Sequence, residues 1–175
     1  ANKFRNTQAR YFLPSADEWY KAAFFDPVSD KFFDFPNGSN TAPLPVASGT
    51  VSNTAVYEQT GPADVTLAGG ANPFGTVAQA GNVWEWDETA SDLINDGIQE
   101  LRGLRGFAWL TISGNTLDLS SSFRNQSSPQ NGIGDVGFRV ASVALPEPTT
   151  IYLASMGVIL LAGRMGGPIA NQLRP

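Results

Sequence analysis

The sequence predicts an α+β domain in which one helix and several short strands sit within much irregular loop, followed by a C-terminal apolar helix. Three observations carry that prediction. One segment, Ser15–Phe25, joins a capping residue, helical spacing and a proline stop. Short apolar and aromatic runs at residues 83–86, 102–110 and 136–143 read as strands. Gly and Pro number 18 and 12 among 175 residues, so turns and loops must fill much of the remainder.

The helix is justified residue by residue. Ser15 is a good N-cap and Glu18 stands three positions on, which makes a capping box. Trp19, Ala22 and Ala23 follow at helical spacing, and Asp26-Pro27 ends the segment because a residue before proline resists the α region. From Pro36 to Gly70 the chain is rich in Gly, Pro, Ser, Asn, Thr and Ala, with Val46, Val51, Val56 and Tyr57 spread through it. This reads as ordered loop with short strands, since a long irregular segment inside a domain needs something to hold it. Asn72-Pro73-Phe74-Gly75 is a turn, Val83-Trp84-Glu85-Trp86 a short aromatic strand, and Thr111 to Asp135 a long polar loop.

The last thirty residues change character. Pro146-Glu147-Pro148 is a stiff breaker, and the sixteen residues from Pro148 to Gly163 carry no charge. As a helix that run spans about 24 Å, short of the roughly 30 Å hydrocarbon core of a bilayer. Length alone therefore leaves open a packed C-terminal helix or a membrane segment. The chain begins Ala-Asn-Lys-Phe without an initiator Met, as a processed N-terminus or a fragment would.

Composition excludes several chemistries. The chain has neither Cys nor His, which removes disulfides, thiolate nucleophiles, imidazole bases, Ser-His-Asp triads and ordinary zinc sites. The net charge is −5 with no basic cluster, which argues against nucleic acid as a partner.

Four segments, taken together, resemble one family. Arg10-Tyr11-Phe12-Leu13-Pro14-Ser15-Ala16-Asp17-Glu18-Trp19 resembles its "RLPTEAEWE" helix start. Asn72-Pro73-Phe74-Gly75 and Gly81-Asn82-Val83-Trp84-Glu85-Trp86 are similar to "NPFG" and "GNVWEW". Arg102 to Trp109 resembles "RVLRGGSW", and Arg124 with Gly137-Phe138-Arg139-Val140-Ala141 resembles "R…GFRVA". This is the formylglycine-generating (sulfatase-modifying factor) family, and the resemblance implies a C-type-lectin-like α+β fold over residues 1–143, lacking the usual N-terminal part. Residues 144–175 resemble a PEP-CTERM sorting signal, through Pro146-Glu147-Pro148, the apolar run and Arg164. That implies export, an exosortase as a partner for the tail, and membrane association through residues 149–163.

The resemblance also implies where chemistry should lie. The family's enzymes oxidise a protein cysteine with oxygen and a copper ion held by two cysteines, two and seven residues after the aromatic matched by Trp109. Here those positions are Thr111 and Thr116, and the spacing onward to Arg124 and Gly137 needs no gap. A neutral hydroxyl cannot replace a soft thiolate for Cu(I). The serine of "GGSW" is Ala108, while Trp84 matches the tryptophan that lines the oxygen pocket. Iron-using relatives need histidines, and there are none. The family's calcium site implies Gly81, Val83 and Glu85 as ligands, but its side-chain position is Ala78, and a hard cation wants several oxygens. A second such site would use an Asn where Val56 stands.

Each candidate has a plainer reading. Glu85 fits a buried carboxylate accepting loop backbone N–H groups. Trp84, Trp86 and Trp109 could line a ligand groove, but at strand spacing they suit a core. Arg105, Arg124 and Arg139 could clamp an anion, or could pair with Asp and Glu and cap loop carbonyls. Asp64, Asp92, Asp96 and Asp118 read as solvated loop charges. The expectation is a non-catalytic binding or structural module on the envelope or surface of a Gram-negative-type bacterium. Its polar loop Leu110–Asp135 would contact a glycan, exopolysaccharide or protein ligand. The alternative is a formylglycine-generating or related oxidoreductase acting on a protein cysteine.

Overall fold

The computed structural model describes residues 5, 6, 8–97, 99–110 and 115–143. The expected apolar helix, the sorting tail and Thr111 lie outside the described residues. Residues 1–142 form one compact unit, and of the second, 143–175, only Val143 is described.

In chain order, β1 (Tyr11–Phe12) leads to the helix α1 (Ala16–Phe24), β2 (Phe25–Asp26), β3 (Lys31–Phe32), β4 (Leu44–Pro45) and β5 (Thr54–Ala55). The longest strand, β6 (Trp84–Ala90), follows, then β7 (Arg102–Arg105), β8 (Asn125–Ser127), β9 (Val136–Phe138) and β10 (Ala141–Ser142). The architecture is α+β, as expected.

The capping box forms as the sequence predicts. Ser15 Oγ accepts from the Glu18 backbone N–H at 3.2 Å, and Glu18 Oε2 accepts from the Ser15 N–H at 2.8 Å. Phe25 takes extended backbone and opens β2, so the helix stops one residue earlier than expected. Its buried face, Ala16, Trp19, Ala23 and Phe24, packs on the central sheet, while Trp19 and Phe24 meet edge to face at 5.9 Å.

The central sheet runs β8-β7-β6-β9, with β6 antiparallel to β7 and parallel to β9. The remaining strands make two-stranded pairs, of which β1–β10 joins the two ends of the described domain. Three strand predictions change in extent. β6 continues to Ala90, through a register irregularity between Trp86 and Ala90, and β7 ends at Arg105. The 136–143 run divides into β9 and β10, because Arg139 leaves the ladder to serve the site described below.

The loop from Pro36 to Gly70 is held by backbone. Val46 N–H donates to Ala55 C=O at 2.9 Å, and Gly49 and Gly69 exchange bonds with Leu67 and Gly49 carbonyls. Asn82 N–H donates to Val56 C=O at 2.7 Å. Gly81 stands beside that bond at φ +72°, and a Cβ there would overlap the Val56 carbonyl, so only glycine fits.

Candidate functional site

The inner face of the central sheet is polar and buried, and register explains why. Side chains alternate along a strand, so Glu85 and Asp87 of β6 share one face, opposite the aromatic face of Trp84 and Trp86. Arg105 stands opposite Glu85 on β7, and Gly137 opposite Glu85 on β9. Arg139, two residues beyond Gly137, falls on the same side. Two carboxylates and two guanidinium groups are thereby delivered to one buried surface under α1.

Glu85 is 5% exposed. Its Oε2 accepts from Trp19 Nε1 at 2.7 Å and from Arg139 Nε at 2.5 Å, and its Oε1 accepts from Arg139 Nη2 at 2.5 Å. The fork-to-fork geometry is the strong form of a charge-assisted pair. Arg139 Nη2 also donates to the Val77 and Ala78 carbonyls at 3.2 and 3.3 Å. Glu85 is thus a buried carboxylate, but its named partners are side chains and not loop N–H groups. This is a correction to the plainer sequence reading.

The calcium expectation can be tested on the same atoms. Both Glu85 oxygens are committed, Ala78 brings no side-chain oxygen, and its carbonyl is bonded to Arg139. Gly81 N–H donates to Gly106 C=O at 2.6 Å, and half-buried Val83 packs its side chain over Gly137. Among the described residues no group of three or more Asp or Glu side chains converges on one point. These residues do not fit a calcium ion, because a guanidinium already supplies the positive charge that Glu85 faces.

Asp87, fully buried, is the second carboxylate. Arg124 Nη2 donates to its Oδ1 at 3.2 Å, Arg105 Nε lies 3.8 Å from its Oδ2, and Thr89 N–H donates to its Oδ1 at 2.9 Å. Burial pushes the Asp87 carboxyl above its ordinary range, against the pull of Arg124, and the same burial pushes the Arg105 guanidinium down. The two arginines also close open backbone. Arg124 donates to the Ser91, Thr89 and Ala90 carbonyls, and Arg105 Nη1 to Phe123 C=O at 3.0 Å. Arg105 and Arg124 therefore face Asp87 and loop carbonyls. Asp87 is absent from the sequence candidates. The signal that finds it is its place two residues beyond Glu85, on the same face.

The aromatic candidates stand on the other face. Trp84 is buried, edge to face with Phe107 at 4.9 Å and tilted on Phe123 at 6.0 Å, in a cluster with Leu104 and Ala108. Trp109 is half-buried and packs against this cluster and against that of Val56, Ala68 and Ala78. Its N–H donates to Asn82 C=O at 3.0 Å, and Asn82 Oδ1 accepts from Ala63 N–H at 2.8 Å. Asn82 is thus the buried tie between the Trp84 and Trp109 segments and the preceding loop.

Thr116 is half-buried at the start of a short 3₁₀ turn, Leu117–Leu119, with no side-chain capping bond. A hydroxyl here is a hard, neutral donor, so the residues of this chain do not fit Cu(I).

A domain with one capped helix, a small mixed sheet and loops tied by buried arginine–carboxylate pairs is the class of protein that the geometry defines. Residues 1–144 match the family model described as a sulfatase-modifying factor enzyme 1-like domain, and the chain belongs to that family. No curated protein matches it. Among solved structures it is similar to one titled "Crystal Structure of CarF", at 21% identity and a TM-score of 0.51, covering 80% of this chain and 50% of that one. It is also similar to Treponema denticola variable protein 1, at 25% identity and a TM-score of 0.51, covering 75% of this chain and 47% of that one. The chain spans about half the length of these two structures.

Proposed function

We propose that this chain is a non-catalytic member of its family, exported and held at the cell envelope, acting as a binding or structural module. The observation that carries the reading is the pair of threonines, Thr111 and Thr116, where the family's copper-binding cysteines belong. The polar side chains nearest the expected catalytic region support it, since Glu85, Arg105 and Arg124 are engaged with protein groups. What remains for contact is the polar loop 110–135, with a glycan, exopolysaccharide or protein ligand as its partner. The likeness to a protein named as variable supports a scaffold whose surface carries the function. Residues 1–143 are the module. Residues 144–175 are a sorting tail, read by an exosortase and placed in the membrane through residues 149–163.

The second reading, a formylglycine-generating or related oxidoreductase, rests on the family's own description as an enzyme domain. One assay separates the two. Purified protein, supplied with Cu(I), oxygen and a sulfatase-type cysteine peptide, should yield no aldehyde by mass spectrometry. Turnover to formylglycine would overturn the non-catalytic reading.

A further inference from the structure

The structure holds a small cleft between the Pro36–Thr54 loop and the segment that follows the Asn72 turn, and none of the candidate residues above except Ala78 lines it. It encloses about 280 Å³ of empty space, its open mouth included, just under the roughly 300–1,000 Å³ of typical ligand pockets. No charged or aromatic side chain lines it. Its walls are small and apolar at Pro36, Pro43, Ala68, Ala78 and Ala80, with amide groups at Asn37 and Gln79.

Those two amides are each half satisfied, and the hydrogen bonds fix which half. Asn72 Oδ1 accepts from the Phe74 and Thr76 N–H groups, both at 3.0 Å, so its Nδ2 is the donor to Ala22 C=O at 2.6 Å and to Gln79 Oε1 at 2.5 Å. Thr76 Oγ1 donates to the same Gln79 oxygen. Gln79 Nε2 is therefore the free end, on a residue only 2% exposed, and it has no partner. Asn37 Nδ2 donates to Thr41 C=O at 3.0 Å and to Asn53 Oδ1, which leaves its buried Oδ1 without a partner. A buried amide donor and a buried amide acceptor thus line one cleft unpaired, and leaving such groups unmade is costly.

We infer that this cleft binds the acetamido group of an N-acetylated amino sugar. The group carries one carbonyl for Gln79 Nε2, one N–H for Asn37 Oδ1 and a methyl for the Pro and Ala walls, and it is uncharged like the cleft. Only a group of that size enters. The rest of the ligand stays at the mouth, where Thr54 and Thr76 offer hydroxyl oxygens to a wet, hydroxylated ring and not to an apolar chain. The inference does not depend on the loop 110–135, and either can fail alone.

Saturation-transfer NMR on the full chain with N-acetylglucosamine, glucose and an N-acetyl-lysine peptide tests it. At millimolar ligand the acetamido methyl of N-acetylglucosamine should receive the largest saturation, while glucose receives none. The Gln79→Glu variant keeps the oxygen that Asn72 and Thr76 use but replaces the donor, and should weaken binding on the order of tenfold. Asn37→Ala, at a half-exposed position, reads the acceptor side even where Gln79→Glu fails to fold. Absence of saturation would assign the cleft to water alone and overturn the inference. So would saturation centred on ring protons, stronger binding of the acetyl-lysine peptide, or affinity unchanged in both variants.

Discussion

At the scale of single residues, the site is built from exclusions of volume as much as from contacts. Gly103 lies on β7 beside the Asp87 pair, and a Cβ there would overlap Asp87 Oδ2 and the Arg124 guanidinium. Its conformation is not unusual; its lack of a side chain is what lets a buried carboxylate and two arginines occupy one layer. Gly103→Ala should therefore destabilise the domain by about 3 kcal/mol, because overpacking is compounded by displacement of a buried ion pair. Urea unfolding of the two proteins measures this. A loss below about 0.5 kcal/mol would mean that Arg124 can swing aside without cost. Legibility at this scale was uneven. Glu85, Arg105, Arg124 and Arg139 stood out because the family motif contains them. Asp87, Trp19 and Gln79 did not, because their roles depend on which side chains the fold brings across tens of residues.

At the scale of elements, α1 was legible in full because its signals are local. Cap, box and stop lie within a dozen residues, and each acts on its own neighbours. Ser15→Ala should cost about 1 kcal/mol, read as a lowered urea midpoint with an unchanged slope. Glu18 adds a pH dependence to the same helix end. Its carboxylate accepts from Arg5 Nη2 at 2.6 Å and Nη1 at 3.1 Å, and the Arg5 guanidinium holds its carboxyl down to about 2 from an ordinary 4.5. A depressed carboxyl contributes stability that is complete above the unfolded value and is lost as pH falls through the folded one. Helix stability should thus decline between about pH 4.5 and 2, modestly because the pair is partly exposed. Glu18→Gln should flatten that part of the stability profile. The strands were less legible than the helix. β4, β5 and β10 are two residues each and contain no pattern long enough to read, since their pairing is set by distant segments.

For the whole molecule, the pattern that recurs is a cation supplied by the chain itself. Irregular loops need a central charge to gather their carbonyls, and a bound metal is one way to provide it. Here Arg139 gathers the Val77 and Ala78 carbonyls and Glu85, while Arg124 gathers the Thr89, Ala90 and Ser91 carbonyls and Asp87. Sequence motifs placed Glu85 correctly but assigned it a calcium, because a motif reports the ligand oxygen and not what faces it. The consequence is measurable. A ligand that binds only the folded state raises the melting temperature in proportion to its occupancy. With its carboxylate already neutralised, the domain should melt within about 1 °C of the same temperature in millimolar calcium and in chelator. Arg139→Gln should lower that temperature by several degrees, because it strands a buried carboxylate. If calcium then restored the loss, Glu85 would retain the capacity for a metal and Arg139 would be its resident substitute. If calcium stabilised the unaltered chain, the guanidinium would be displaceable and the assignment of Glu85 to Arg139 alone would fail.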